Sequence, residues 1–343
     1  MMTSSSSPSH ISGKRDYFFD NVKFLLIALV VISHAITPLI EWHQFSRGLY
    51  LLLFSFHMPL FLFISGFFAK KAVQQREFIK PIQKLLVPYI IFQVIYTFFY
   101  YDVMGDDLKV PIFEPHWSLW FLLTLFSFYF LIHLFKFSPY MIIIATTLGI
   151  AIGFGEPTSL FSLSRTIVFF PFFLAGYFMK RHHFDFLFHA RIKILGVAVF
   201  VVTFVVFYYY AYDIPYELFY GNESYQAMGF DNMAAGGVFR LLAYLVTIAV
   251  SIAFLAFVPQ EKRPMSEYAK NTLYVYLLHG FIFRYLRDTE FYDGMDTVFE
   301  VGLLAIGCII FTVILSSAIV KKVTQPLIEP FSYFSRKNKK ASV

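Results

Sequence analysis

Charge is scarce in this chain. Asp, Glu, Lys and Arg make up 15% of its 343 residues, where a soluble domain carries about a quarter. That shortage excludes an ordinary soluble enzyme. Cysteine occurs once, as Cys308 inside the last apolar run. One cysteine excludes an intramolecular disulfide and a cysteine metal cluster, and a buried thiol usually behaves as a small hydrophobe. The sequence also has no Gly-rich phosphate loop, no Gly-x-Ser-x-Gly elbow and no metal motif. His182-His183 is a pair with no third ligand near it. No bound metal is expected, and no internal repeat is evident.

What is there is apolar bulk. Hydrophobic residues are 58% and aromatics 21%, with 46 Phe and 23 Tyr. Long apolar runs at this density predict an all-α, polytopic membrane protein. We place ten spans, at 22–40, 49–69, 83–101, 117–135, 139–154, 164–180, 191–211, 238–258, 270–287 and 298–320. The positive-inside rule sets their sense. Of the 28 Lys and Arg residues, 22 fall on the side of the N-terminus and six on the other. Ten crossings with both termini cytoplasmic satisfy that bias, as expected for a multi-pass protein of a bacterial plasma membrane. The net charge of +6 then reflects topology, and no nucleic-acid partner is expected. The Ser-rich stretch 1–14 reads as disordered, 15–325 as one membrane domain and 326–343 as a basic cytoplasmic tail. Lys14 and Arg15 resemble a signal n-region. No small-residue cleavage site follows, so the first span is expected to be retained.

The stretch from Asp20 to His34 is the centre of this reading. Lys23 and His34 are about three helical turns apart and lie near one stripe of a helix. His34 falls roughly 18 Å into a ~30 Å core. A titratable group at that depth is costly unless it faces protein or water. It is either functional or satisfied by a neighbouring helix. A neutral imidazole is a suitable general base for a hydroxyl. His57 lies in FHMPLFLFISGFF (56–68), where Pro59 removes a backbone donor and Ser65-Gly66 permits close helix contact. A carbonyl freed there can open a polar pocket; otherwise the segment is a kinked packing helix around a buried histidine. Trp117 and Trp120 enter the fourth span from outside, as interface anchors or as part of a site. His279 lies roughly 12–14 Å from the cytoplasmic edge of the ninth span.

Three basic residues, Arg165, Arg240 and Arg284, sit at the outer ends of spans. They suit snorkelling to headgroups or a cationic vestibule for an anionic or sugar-rich molecule. On the cytoplasmic side Lys70, Lys71, Arg76, Lys80 and Lys84 run into LLVPY (85–89). That run is either plain positive-inside topology or a clamp for phosphates. Lys80 and Lys84 share one helical face if the helix extends that far.

Six stretches recur in order: Asp20-x-x-Lys23 leading to His34, FHMPLFLFISGFF, the basic run into LLVPY, HWSLWFLL (116–123), FFPFFLAGY (169–177) and NTLYVYLLH (271–279). Together they resemble the membrane acyltransferase-3 superfamily, and within it the branch related to fucose 4-O-acetylase. The resemblance implies ten membrane helices that move an acyl group, usually acetyl, from cytoplasmic acyl-CoA to a hydroxyl. Acetyl-CoA would be a co-substrate, with no permanently bound cofactor. His34 matches the family's essential first-helix histidine. Lys23 stands where many members have arginine, whose bidentate contact lysine does not reproduce. The family's Arg-x-x-Arg motif is reduced here to Arg76, followed by Ile79, with lysines at 80 and 84.

The expected roles follow from these matches and positions. His34 and His57 are the candidates for chemistry. Lys23, Arg76, Lys80 and Lys84 are the candidates for the acyl donor. Trp117, Trp120, Arg165 and His279 face the acceptor, a sugar, glycan or lipid-linked saccharide. The rival class is a transporter or flippase exporting a saccharide or lipid-linked intermediate, because polar residues inside spans also mark transport paths.

Overall fold

The computed structural model of the chain describes residues 15–75, 77–156 and 160–341, with side chains to residue 335. The expectations for 1–14 and for Arg76 lie outside the described residues. Among the described residues the chain is helical and has no strand. Ten helices form the body. They are α1 (Tyr17–Ile36), α2 (Gln44–Gln74), α3 (Ile79–Met104), α4 (Trp120–Leu134) and α5 (Met141–Ala151), then α6 (Leu163–Phe178), α7 (Ala190–Tyr209), α8 (Met233–Phe257), α9 (Thr272–Arg287) and α10 (Val298–Leu315). Two more follow, α11 (Ala318–Ile328) and α12 (Pro330–Ala341), the second within the stretch 326–343 expected as a basic tail.

Each of the ten expected spans coincides with a helix, but the helices are not equal. Eight are long and apolar enough to cross a membrane. α4 and α6 reach that length with the tight turns Trp117–Leu119 and Leu160–Ser162 that lead into them, and α5, with 11 residues, and α9, with 16, are not among the eight.

Local chemistry sets the helix starts. The Asp16 carboxylate accepts from the Phe18 N–H at 3.1 Å and caps α1. Asn232 does the same for α8 through the Ala234 N–H at 3.0 Å. Thr297 and Glu300 form a reciprocal capping box on α10. α3 ends at Gly105 with φ +74°, the left-handed stop that glycine adopts without penalty.

The helices divide into a centre and a rim. Within the membrane windows of α1 and α2, 67% and 61% of residues are buried, against 11% in α7 and 17% in α10. α7 and α10 are therefore lipid-facing, and α1 and α2 carry the interior. α2 and α6 cross at Gly66 and Gly176. A Cβ on Gly66 would overlap the Phe173 carbonyl, and one on Gly176 the Phe63 carbonyl. Only glycines let these backbones meet, which bears out the close contact expected at Ser65-Gly66.

Pro59 sits inside α2 and removes the donor that would reach the Ser55 carbonyl. Thr247 of α8 donates its hydroxyl to that carbonyl at 2.6 Å. The freed carbonyl thus ties α2 to α8 and does not line a polar pocket.

Contacts between connections sort the two ends of the bundle. At one end Asn21 donates to the carbonyls of Pro259 and Glu261 at 2.9 and 3.0 Å, and Arg181 pairs with Asp16 at 2.7 Å. At the other end Arg47 donates to the Ala211 carbonyl at 2.6 Å, Tyr225 N–H to Gly153 at 2.7 Å and Phe161 N–H to Phe113 at 2.7 Å. α5 and α9 each run between these same two ends.

Candidate active site

His34 stands in the last turn of α1, where the helix C-terminus favours a cation. The Arg287 guanidinium donates to the His34 carbonyl at 3.1 Å, satisfying one of the carbonyls a helix end leaves without a partner. This bond joins the end of α9 to the end of α1. The imidazole itself receives no hydrogen bond from any described residue. It is half-buried, and its open part faces a cavity of about 240 Å³.

Aromatic rings frame the imidazole. The Trp117 ring lies 4.5 Å away, His279 5.4 Å and Phe54 6.0 Å, centre to centre. Trp117 has φ +40°, a left-handed backbone that costs energy for a residue with a side chain. Neighbouring contacts hold it there. Gln93 of α3 donates to the carbonyls of Pro111 and Glu114 and accepts from the His116 N–H at 3.0 Å. Tyr276 of α9 donates to the Ser118 carbonyl. The indole then lies over Gly280, where a Cβ would overlap it.

The rest of the cavity wall is cationic and phenolic. Arg165 of α6 stacks on Trp120 at 4.9 Å, and Phe169 stacks on Trp120 at 5.5 Å. Arg287 lies 5.7 Å over the Trp117 ring. Tyr50 and Tyr220 share a hydroxyl–hydroxyl hydrogen bond. Among the described residues no Asp or Glu lines the cavity. The arrangement can accept a proton at His34 and can neutralise negative charge at Arg287 and Arg165.

Four of the expected residues, His34, Trp117, Trp120 and Arg165, therefore come together in one cavity. His279 touches the group from behind. It is buried, its Nδ1–H donates to the Val275 carbonyl at 3.0 Å, and its Nε2 has no partner. His57 is also fully buried, with Nδ1–H on the Leu53 carbonyl at 2.5 Å. It does not line the cavity. Phe54 packs against both its ring, at 4.9 Å, and that of His34.

The basic residues expected to meet the donor lie elsewhere. Lys23 is about 16 Å down α1 from His34 and pairs with Asp20 at 2.9 Å, which Arg15 also holds at 2.5 Å. α3 does reach back over Lys80 and Lys84, yet a wider π turn at Ile82–Leu86 intervenes and changes their spacing. Lys80 pairs with Glu77, and Lys84 is exposed. Of the three outer arginines, only Arg165 joins the cavity. Arg240 is buried and donates to the Leu218 carbonyl, while Arg284 lies over Tyr100 at 5.2 Å.

The sequence reading missed Arg287, Tyr50 and Tyr220. A signal for Arg287 existed. It is about 80° round α9 from His279, whereas Arg284 is about 140° away, so Arg287 is the better match to the His279 face.

The acyltransferase-domain family profile matches residues 16–321. Nodulation protein NolL of Mesorhizobium japonicum is 28% identical over 185 residues, covering 48% of this chain and 48% of that protein. Nodulation protein NolL of Sinorhizobium fredii is 26% identical over 182 residues, covering 48% and 49%. The chain spans about half the length of the curated relatives it matches. No solved structure matches the chain. The profile runs through all ten helices of the body and takes in His34 and the whole cavity wall, and the chain belongs to the acyltransferase-3 family of membrane proteins.

Proposed function

We propose that the protein is an integral-membrane O-acyltransferase that moves an acyl group, acetyl first among them, from cytoplasmic acyl-CoA to a hydroxyl of a sugar or envelope glycan. The observation that carries this reading is the His34 imidazole, which among the described residues has no hydrogen-bond partner and is open to a cavity lined by two guanidiniums and no carboxylate. His34 takes the proton from the acceptor hydroxyl as its oxygen attacks the thioester carbonyl. The new C–O bond forms, an oxyanion develops, and Arg287 on the same cavity wall stabilises it. Collapse of the intermediate breaks the C–S bond. The thiolate leaves as coenzyme A and takes up the proton held on His34. A base in this role typically contributes 10²–10⁴-fold.

The donor enters from the end of the bundle that carries most of the basic residues. Lys80 and Lys84, exposed there on α3, are the candidates for its phosphates, with Arg76 beside them in sequence. Both termini are cytoplasmic in this reading, and the membrane is a bacterial plasma membrane.

The test is transfer of radiolabelled acetyl from acetyl-CoA in inverted membrane vesicles, wild type against His34→Ala. Label should enter a glycan or lipid fraction only with wild type. Wild-type transfer by a correctly inserted His34→Ala protein would end the mechanism. Acetyl-CoA binding to the purified protein separates the enzyme from an exporter, which has no need to bind it.

A further inference from the structure

Within the proposed acyltransfer reaction, the identity of the acceptor is the open question, and the cavity wall bears on it. Arg165 enters the cavity from α6 with one face of its guanidinium against Trp120. Stacking of this kind occupies the flat face of the group and leaves its N–H donors in the plane of the fork. Among the described residues no ion pair or hydrogen bond to Arg165 exists. The Glu223 carboxylate acts on it through space without a bond, and accepts from the Asn222 side chain at 2.9 Å. Arg287 adds a second guanidinium to the same wall, again without an ion pair.

Arg165 sits at the outer end of α6 with its head turned into the cavity, and a cation drawn away from water in a membrane protein is expensive and is kept where it has a partner or a function. Among the described residues the Arg165 charge meets the Trp120 face and has no ion-pair partner. Snorkelling does not account for it either, since its head is turned onto Trp120 inside the cavity. Arginine at a stacked position also differs from lysine in kind. Its fork matches the paired oxygens of a phosphate or carboxylate.

We infer that the acceptor carries an anionic group, a phosphate or a carboxylate, which Arg165 binds from its seat on Trp120. The hydroxyl to be acylated lies on the same molecule and reaches His34. A neutral glycoside would leave the Arg165 charge unmatched and would bind poorly.

The test uses the purified full-length protein in neutral detergent, read by quenching of tryptophan fluorescence and by thermal shift. The probes are glucose 1-phosphate, glucuronate, methyl glucoside and a short-chain phosphatidylglycerol. Saturable binding of glucose 1-phosphate or glucuronate, with methyl glucoside far weaker, is expected. Arg165→Gln should weaken that binding about ten- to hundredfold. Arg165→Lys, which keeps the charge and loses the fork, should fall between. Binding confined to phosphatidylglycerol and lost in Arg165→Gln would assign the anionic group to a lipid carrier of the acceptor. Equal binding of the neutral and charged sugars, no binding of any anionic probe, or no effect of Arg165→Gln would overturn the inference. Acetyl-CoA binding, measured on the same samples, keeps the two readings apart. Its loss with anion binding intact would sink the acyltransfer reading alone, and its retention in Arg165→Gln shows that the variant is folded.

Discussion

Trp117 shows how much of the candidate site depends on a single residue being held out of its preferred backbone. Its φ of +40° is imposed by the Gln93 clamp before it and the Tyr276 bond after it. Its indole fits because residue 280 has no side chain. Gly280→Ala should push the indole off the His34 ring at an overpacking cost of about 1–3 kcal/mol. The larger effect is expected on transfer, since small misplacements at a reacting centre cost up to about a hundredfold. Acetyl transfer by a variant that still melts cooperatively is the measurement. Unchanged transfer would remove Trp117 from the site. His279→Asn, which disturbs a ring in contact with both His34 and Trp117, should lower transfer about tenfold or more. His57→Asn, behind Phe54, should lower it less. A side-by-side transfer assay of the two variants decides the order. The legible part of this site was its chemistry-bearing residues at unusual depth. His34 stood out because the membrane makes a titratable group at that depth costly, and Arg165 because it is one of six basic residues on the outer side. Tyr50 and Tyr220 did not, because tyrosine is common at membrane interfaces and the sequence does not say which hydroxyls meet. Gln93 was hidden for a related reason. Its role is to bond the backbone of a loop, and no spacing rule points to that.

The close crossing of α2 and α6 depends on two glycines that meet backbone atoms, not side chains. Side chains can change rotamer to accept a methyl group; carbonyls inside a helix cannot. Gly66→Ala and Gly176→Ala should each destabilise by about 1–3 kcal/mol or more. Gly302→Ala on the lipid-facing α10, where an added Cβ meets nothing, should be close to neutral. Thermal unfolding of the three variants in one detergent is the comparison, and equal melting temperatures would refute the argument. A second clamp joins α1 to the connection between α8 and α9. Arg15 donates to the Ser266 carbonyl and pairs with Glu267, and Ser266 donates to Asn21 at 2.6 Å. The Lys270 hydrogen bond, opposed by desolvation and helped by the charges of Arg15, Lys270 and Lys262, lowers the Glu267 pKa from 4.5 to about 2. A depressed carboxylate contributes stability in full above its unfolded pKa, and that contribution is lost as pH falls through the folded value. The stability gap between wild type and Glu267→Gln should therefore hold constant from pH 7 to about 4.5 and close toward pH 2. A gap that is constant across the whole range would show that Glu267 carries no charge-dependent role.

At the scale of the molecule, the apolar runs made the helical bundle legible, and two of them raise a question of length. α5 would rise only about 16 Å and α9 about 24 Å, against a core of ~30 Å. For α5 the sequence carries a warning, since the run 139–154 is short and ends in Gly-rich sequence (GIAIGFG); for α9 it carries none, because length in a sequence does not say where a helix frays or turns. The structure offers a reason for each. α9 is covered by protein along one face, with Tyr274, Val275, Tyr276, Leu277, His279 and Phe283 buried and Ile282 and Tyr285 exposed, so most of it need not match the lipid. α5 continues as a tighter turn to Phe154 and is pinned at Gly153 by Tyr225, and a local thinning of the bilayer would cover the remainder at modest cost. If both helices cross, every connection alternates sides and the basic ends stay together. Cysteine labelling can test this, because Cys308 is buried and free and can be replaced by alanine to give a background without cysteine. Single cysteines would then replace the exposed residues Asp107, Asp231, Glu261 and Asp293. A membrane-impermeant maleimide applied to intact cells should label positions 107, 231 and 293. Position 261 should react only after permeabilisation. Helices α4 to α7 lie between 107 and 231, so opposite labelling of that pair would mean that α5 does not cross. Equal labelling of 261 and 293 would mean the same for α9, and would put His279 and Arg287 on a re-entrant helix open to one side only.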